Sequence, residues 1–117
     1  MMNNSVIERE NTYLLKSLLG HFDSIDELYD KDMIPTLCNK FYAMILAHLL
    51  GAAHCIAMLK NNSYEINKII CDEDQKDLEE FQSILTEHPE QINPVQLKIF
   101  ICETMPHIKY YVRRNIQ

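Results

Sequence analysis

The feature that most constrains the fold is a segment of nineteen uncharged residues, 41–59, bounded by Lys40 and Lys60. A helix of this length can just cross the hydrocarbon core of a bilayer. The segment is only moderately apolar, however, because alanines, a glycine and two histidines interrupt it. The amphipathic segments around it also need an apolar helix to cover them. The sequence therefore favours the central helix of a soluble protein, and a small membrane-associated protein that uses residues 41–59 is an alternative.

The rest of the composition indicates one all-α domain over residues 1–117. A chain of 117 residues suits a single domain with its own core. Its two glycines and four prolines are too few for the turns of a many-stranded β-protein. We therefore predict a compact helical bundle of five to seven helices around one long apolar central helix. This helix should begin with Pro35 in its first turn and end near Lys60.

Capping motifs predict where the first two helices begin and end. Ser5 and Glu8 have the spacing of a capping box, in which each side chain accepts a hydrogen bond from the other residue's backbone N–H. Gly20 is typical of a residue that ends a helix. Ser24 and Glu27 repeat the capping-box spacing. The sequence therefore predicts one helix up to Gly20 and a separate short helix after it.

Similar signals divide the second half of the chain. Asn62 should cap a short helix, and Asp72 should cap a longer one. Asn93 is the predicted cap of the last helix, with Pro94 in its first turn. Val95 belongs to the predicted apolar side of that helix. Pro106 should kink or end it, because proline lacks the N–H that continues a helix.

Small residues recur every fourth position on the predicted central helix. Ala43, Ala47 and Gly51 would lie nearly above one another on one face. Such a strip lets another helix approach closely, either from the same chain or from a second copy. We predict close packing within the chain, and the dimer seam of a homodimer with twofold symmetry is the alternative.

No potential metal ligands have the spacing that a helical site requires. His48 and Cys55 share a face but lie about 10.5 Å apart along the axis, whereas zinc bonds are about 2.0–2.3 Å long. Glu103 and His107 are four residues apart, but Pro106 lies between them. We therefore predict that the protein holds no metal and no cofactor.

The four cysteines lie among apolar residues and form no CxxC pair; they are Cys38, Cys55, Cys71 and Cys102. We expect buried free thiols, as in proteins of a reducing compartment. Burial raises the pKa of a thiol and makes it inert. No glycine-rich phosphate loop or GxSxG motif occurs. An enzyme centred on Cys55 or Cys38 is therefore the minority hypothesis, and no catalytic residue is predicted.

Negative charge is the clearest surface signal. The net charge is −6, so a nucleic acid is an unfavourable partner. Between Asp72 and Glu90 there are eight acidic residues and one lysine, Lys76. The predicted contact with a basic protein surface consists of four residues of this region: Glu73, Glu79, Glu80 and Glu87. A second acidic patch precedes the central helix and consists of Asp23, Asp26, Glu27, Asp30 and Asp32. A basic cluster near the C-terminus consists of Lys109, Arg113 and Arg114.

These observations favour a small acidic protein that works by binding another protein. Our first hypothesis is a regulator, such as an inhibitor of the immunity, antitoxin or effector-regulator type, which occludes a partner enzyme. The second is a secretion chaperone or adaptor, which would cradle an apolar segment of a client protein. The abundance of Ile and Asn, with more Lys than Arg, is typical of an AT-rich bacterial or viral gene. We expect a cytoplasmic protein, or an effector that is delivered into a host cell.

Overall fold

The computed structural model describes residues 4–29 and 40–116, and no strand occurs in these ranges. The α-helices in these ranges are α1 (Asn4–Leu28), α2 (Lys40–Asn61), α3 (Asp72–Glu87), α4 (Pro94–Ile99) and α5 (Met105–Ile116). A π turn, Phe100–Thr104, joins α4 to α5 without a break, so residues 94–116 form one continuous helix. Short 3-10 turns lie at Ile66–Lys68 and Pro89–Gln91.

The all-α prediction is confirmed, but the described residues form four helices and the five to seven predicted are not confirmed. One reason is that Gly20 does not end the first helix, which continues through Ser24 to Leu28. Glycine costs only up to about 1 kcal/mol inside a helix. The burial of Leu18 and Phe22, both fully inaccessible to solvent, stabilises this part of α1 by more than that.

Pro106 also fails to end its helix, because a π turn precedes it. In this turn the Met105 N–H donates to the Phe100 carbonyl five residues back, where an α-helix would use the fourth. The wider turn changes the position of the carbonyls that would otherwise clash with the proline ring. The helix therefore continues through Pro106 to Ile116.

The predicted caps have mixed outcomes. Asn93 is the cap of α4, where its side chain accepts hydrogen bonds from the backbone N–H groups of Val95 and Gln96 at 2.9 and 3.3 Å. Asp72 is not a cap, because Cys71 holds that position and Asp72 is the first residue of α3. Asn62 does not cap a helix either; its amide donates to Glu10 and Asn11 of α1.

Two further helix starts were predicted, at Ser5 and at Pro35. The described part of α1 begins at Asn4, which places Ser5 inside the helix. Pro35, the predicted first-turn residue of the central helix, lies outside the described residues.

One apolar core runs through the described helices, and α2 lies at its centre between α1 and α3. The buried side of α2 carries Ile45, Leu49, Ala52, Ile56 and Leu59. Its opposite side is exposed. The predicted burial of the uncharged segment is therefore only half correct, and an uncharged helix face is left at the surface.

Candidate functional site

The acidic residues of α3 form an outer face with little compensation. Glu73, Glu79, Glu80 and Glu87 are all exposed. Glu79 lies 3.4 Å from the Lys60 ammonium of α2, while the other three have no ion pair within the described residues. Lys76, whose spacing could allow it to pair with α3 carboxylates, has none there either. The face therefore keeps most of its negative charge.

The second acidic patch is different, because the basic end of the chain neutralises part of it. The Lys109 ammonium lies 2.7 Å from an Asp23 carboxylate oxygen and also bonds Asp26. Arg113 lies 3.5 Å from the same Asp23 oxygen. These contacts hold α5 against α1. Asp30 and Asp32 lie outside the described residues.

Apolar side chains are exposed directly beside the α3 face. Val95 and Ile99, one turn apart on α4, are 66% and 48% exposed. Val95 was predicted to point into the core, and that prediction is wrong. Ile99 borders a cleft of about 120 Å³ between α3 and the helix that follows. This surface therefore combines negative charge with apolar contact area.

The strip of small residues on α2 does not lie under one neighbouring helix. Gly51 packs against His21 of α1, because a Cβ at Gly51 would lie only 2.6 Å from the imidazole. Ala43 and Ala47 are exposed. They border an apolar groove of about 330 Å³, whose other walls include Leu85. Gly51 thus serves packing within the chain, while the two alanines belong to a surface groove.

The same helix satisfies the simple criteria for a membrane span. Within the described residues, Phe41–Asn61 is long and apolar enough to cross a bilayer, and its most apolar stretch of 18 residues has a mean hydropathy of 1.7. Half of this stretch is buried inside the protein. A membrane-associated role would depend on the exposed half.

A histidine pair joins α1 to α2 and was missed by the sequence analysis. The Nδ1 atoms of His21 and His48 are 3.0 Å apart, so one ring must donate a hydrogen bond to the other. Spacing along the sequence relates His48 only to ligands on its own helix. The antiparallel packing of α1 on α2 brings together residues that are far apart in sequence.

This pair predicts a pH dependence of stability. Burial, and then the charge of His48, lower the pKa of His21 below its usual 6.5. The unfolded chain then binds more protons, so stability should fall as the pH drops below about 6.5. His21→Gln should flatten this fall. One titrating group can change the free energy of unfolding by at most about 1.4 kcal/mol per pH unit, and the effect of His21 should be smaller because its side chain is partly exposed. Urea unfolding at several pH values measures the difference, and equal pH profiles for both proteins would contradict it.

The cysteines divide into buried and exposed groups. Cys55 is buried, and burial raises the pKa of its thiol, so it is poorly suited to act as a nucleophile. Cys71 and Cys102 are exposed, contrary to the prediction that all four are buried. Cys38 lies outside the described residues. Across residues 4–29 and 40–116 no group of three His, Cys, Asp or Glu side chains could hold a metal ion.

Comparison of the chain with protein-family models, curated proteins and solved structures gave no match. The surface chemistry of the described residues is therefore the basis for a function.

Proposed function

We propose that this protein is an acidic regulator that binds a partner protein through the outer face of α3. The observation that carries the proposal is the set of exposed carboxylates at Glu73, Glu80 and Glu87 without ion pairs in the described residues. Asp23 and Asp26 of the second acidic patch, by contrast, have counter-charges within the chain. Like charges gathered on one helix repel one another, so a basic partner would relieve an unfavourable arrangement.

A basic protein surface fits this face better than the other macromolecules do. A net charge of −6 repels phosphate backbones. Complementary charge speeds association and selects among partners. The exposed Val95 and Ile99 of α4 add the apolar contact that charge alone does not supply.

Within this class, we propose an inhibitor of the immunity, antitoxin or effector-regulator type. Such a protein needs a rigid surface and no reactive group of its own. The acidic face would cover a basic functional surface of the partner enzyme and so exclude its substrate. This role can be carried out in the cytoplasm, or in a host cell that receives the protein as an effector.

The first experiment identifies the partner and the face together. The wild-type protein and the Glu80→Lys/Glu87→Lys variant are used as bait in extracts of the native cell, and captured proteins are compared by mass spectrometry. Each reversal adds two charges, so the net charge changes from −6 to −2. The control, Glu8→Lys/Glu27→Lys, makes the same change at exposed positions of α1. One enzyme that binds wild type and control but not the α3 variant is expected.

The purified pair then allows a quantitative prediction. Reversal of Glu80 and Glu87 should slow association by about tenfold or more, because these charges act mainly on the association rate. The fold should be unaffected, since exposed substitutions usually change stability by less than about 0.5 kcal/mol. Salt should weaken wild-type binding, as the Debye length falls from about 10 Å at about 0.1 M to about 3 Å at about 1 M. Surface-plasmon kinetics with equal rates for wild type and variant would exclude the α3 face.

The groove beside α2 favours a second candidate, a secretion chaperone or adaptor. Its walls are apolar and include Ala43, Ala47, Leu50 and Leu85. An apolar segment of a client protein could lie along it in the helix-in-groove manner. This role predicts several partly unfolded clients in place of one enzyme. Their capture should be unaffected by the α3 variant and weakened by Ala47→Glu.

A further inference from the structure

The cleft between α3 and α4 is the place where acidic and apolar surfaces meet. It has a volume of about 120 Å³ and opens to solvent. Its lining residues are Asp77, Glu80 and Phe81 of α3, Gln96 and Ile99 of α4, and Phe100 and Thr104 of the π turn. The continuous helix formed by α4 and α5 thus supplies one wall, and the acidic face of α3 supplies the other.

The two carboxylates of the cleft lie on one side of α3. Asp77 and Glu80 are three residues apart, which places neighbouring side chains on the same helix face. Neither has an ion pair within the described residues. Partial burial is the main cause of a raised pKa at Asp77, and neighbouring carboxylates, Asp74 above all, add to it. The carboxyl group is thus held where its negative charge is not compensated.

The rest of the lining is mainly hydrocarbon, with Gln96 and Thr104 as its uncharged polar members. Phe81 and Phe100 are buried and pack edge to face with ring centroids 5.6 Å apart, which gives this wall a fixed shape. Ile99 is 48% exposed at the opening, and Val95 extends the apolar surface by one turn. An occupant therefore meets the hydrocarbon of Phe81, Ile99 and Phe100 together with the two carboxylates.

We propose that this cleft receives one cationic side chain, an arginine or a lysine, of the partner protein. The aliphatic stem of such a side chain packs on an apolar wall while its charged end stays with the acidic groups at the edge. A guanidinium can also bond two carboxylate oxygens at once. This inference rests on the proposed function and names the residue that would anchor the basic partner on the α3 face.

Other occupants fit less well. An apolar side chain would remove water from Asp77 and Glu80 without a counter-charge, which is unfavourable. A second copy of this chain is disfavoured because both copies carry −6. The cations Lys109 and Arg113 at its basic end already contact the α1 carboxylates.

A titration with small peptides tests the cleft without the partner. The probe is a blocked tripeptide, glycine–arginine–glycine, and its matched control carries citrulline, which has nearly the same shape but no charge. Two-dimensional NMR of the labelled protein should show saturable shifts at Ile99, Phe100 and Asp77 with the arginine peptide. The citrulline peptide should bind about tenfold more weakly, since it loses the charge-assisted hydrogen bonds.

Protein variants assign the binding to the cleft. Asp77→Asn/Glu80→Gln should abolish the saturable shifts, while Glu73→Gln/Glu87→Gln, with the same change of charge on the same helix, should retain them. Thermal melting checks that both variants fold. Equal responses of the two variants, equal binding of the two peptides, or shifts that do not saturate would each overturn the proposal.

The outcomes also separate this inference from the proposed function. If the arginine peptide binds as described but no protein partner depends on α3, the cleft is supported and the regulator role is wrong. If a partner depends on Glu73 and Glu87 yet binds Asp77→Asn/Glu80→Gln unchanged, the regulator role is supported and the cleft is overturned.

Discussion

Gly51→Leu should lower the melting temperature by about 5–10 °C, which corresponds to a loss of about 2 kcal/mol for a chain of this size. A Cβ at position 51 would lie 2.6 Å from Cε1 and 2.7 Å from Nε2 of His21. Leucine adds three further carbons, so His21 must move and its contact with His48 at 3.0 Å must break. Overpacking of this kind costs about 1–3 kcal/mol or more, although leucine regains part of that through its higher helix propensity.

Two alanine variants isolate the steric cost. Gly20→Ala should stabilise the protein by about 0.5–1 kcal/mol, because alanine is a better helix former and nothing lies within 4 Å of the added methyl group. Gly51→Ala gains the same propensity but must displace His21, so it should show no net gain. Equal melting temperatures for the two alanine variants, or a Gly51→Leu variant that melts like wild type, would contradict the close approach of α1 and α2.

The exposed part of the strip allows a test of the dimer hypothesis. Ala43 and Ala47 are exposed, whereas Gly51 of the predicted strip packs against His21 of α1. Sedimentation of the wild type and of Ala47→Glu measures whether a second copy uses the exposed alanines. A dimer that Ala47→Glu converts to a folded monomer would support the seam.

Local patterns in the sequence predicted those parts of the fold that local interactions determine. Leu14, Leu18 and Phe22 recur every fourth position in the sequence, which is the spacing of one helix face, and all three are buried. The Asn93–Pro94 pair predicted the start of α4, because a cap and a first-turn proline act within one turn of the helix. Local signals were weaker where tertiary packing outweighs them, as at Gly20.

Contacts between distant residues could not be predicted from one sequence. His21 and His48 are 27 residues apart, and Lys109 and Asp26 are 83 residues apart. Their meeting depends on how the helices pack, which the pattern on each helix does not specify. Pro106 is a similar case, because its tolerance depends on a π turn that no sequence signal indicated.

These long-range ion pairs show which acidic residues have counter-charges within the chain, which the sequence alone does not reveal. The sequence contains two acidic patches, and the contact was predicted only for the one that lies on α3. The contacts of Lys109 with Asp23 and Asp26 occupy the α1 patch, so the charge of α3 is the more available of the two. Asp23 and Asp26 therefore serve packing within the chain, and the α3 face stays the proposed contact.

The Lys109 network provides the second large effect on stability. Lys109→Ala should destabilise the protein by about 2 kcal/mol, since loss of one partner of a fully buried pair costs about 3–5 kcal/mol and an exposed pair is worth less than about 1 kcal/mol. This network lies between those limits. The Lys109 side chain is only 11% exposed, whereas Asp23 and Asp26 are 47% and 46% exposed. The variant would leave both carboxylates facing α5 with Arg113 as their remaining cation.

An exposed ion pair of the same type serves as the control. Lys60→Ala removes the 3.4 Å contact between Lys60 and Glu79, whose side chains are 44% and 63% exposed, respectively. This variant should change stability by less than about 1 kcal/mol. Burial alone would lower the pKa of Lys109, but hydrogen bonds to Asp23 and Asp26 outweigh it and raise the pKa above the usual 10.5. The contribution of Lys109 should therefore be constant near neutral pH and disappear only in strong alkali, as the pH rises through the raised pKa. Urea unfolding of both variants at neutral pH measures the two losses, and a Lys109→Ala effect no larger than that of Lys60→Ala would show that the network does not hold α5 against α1.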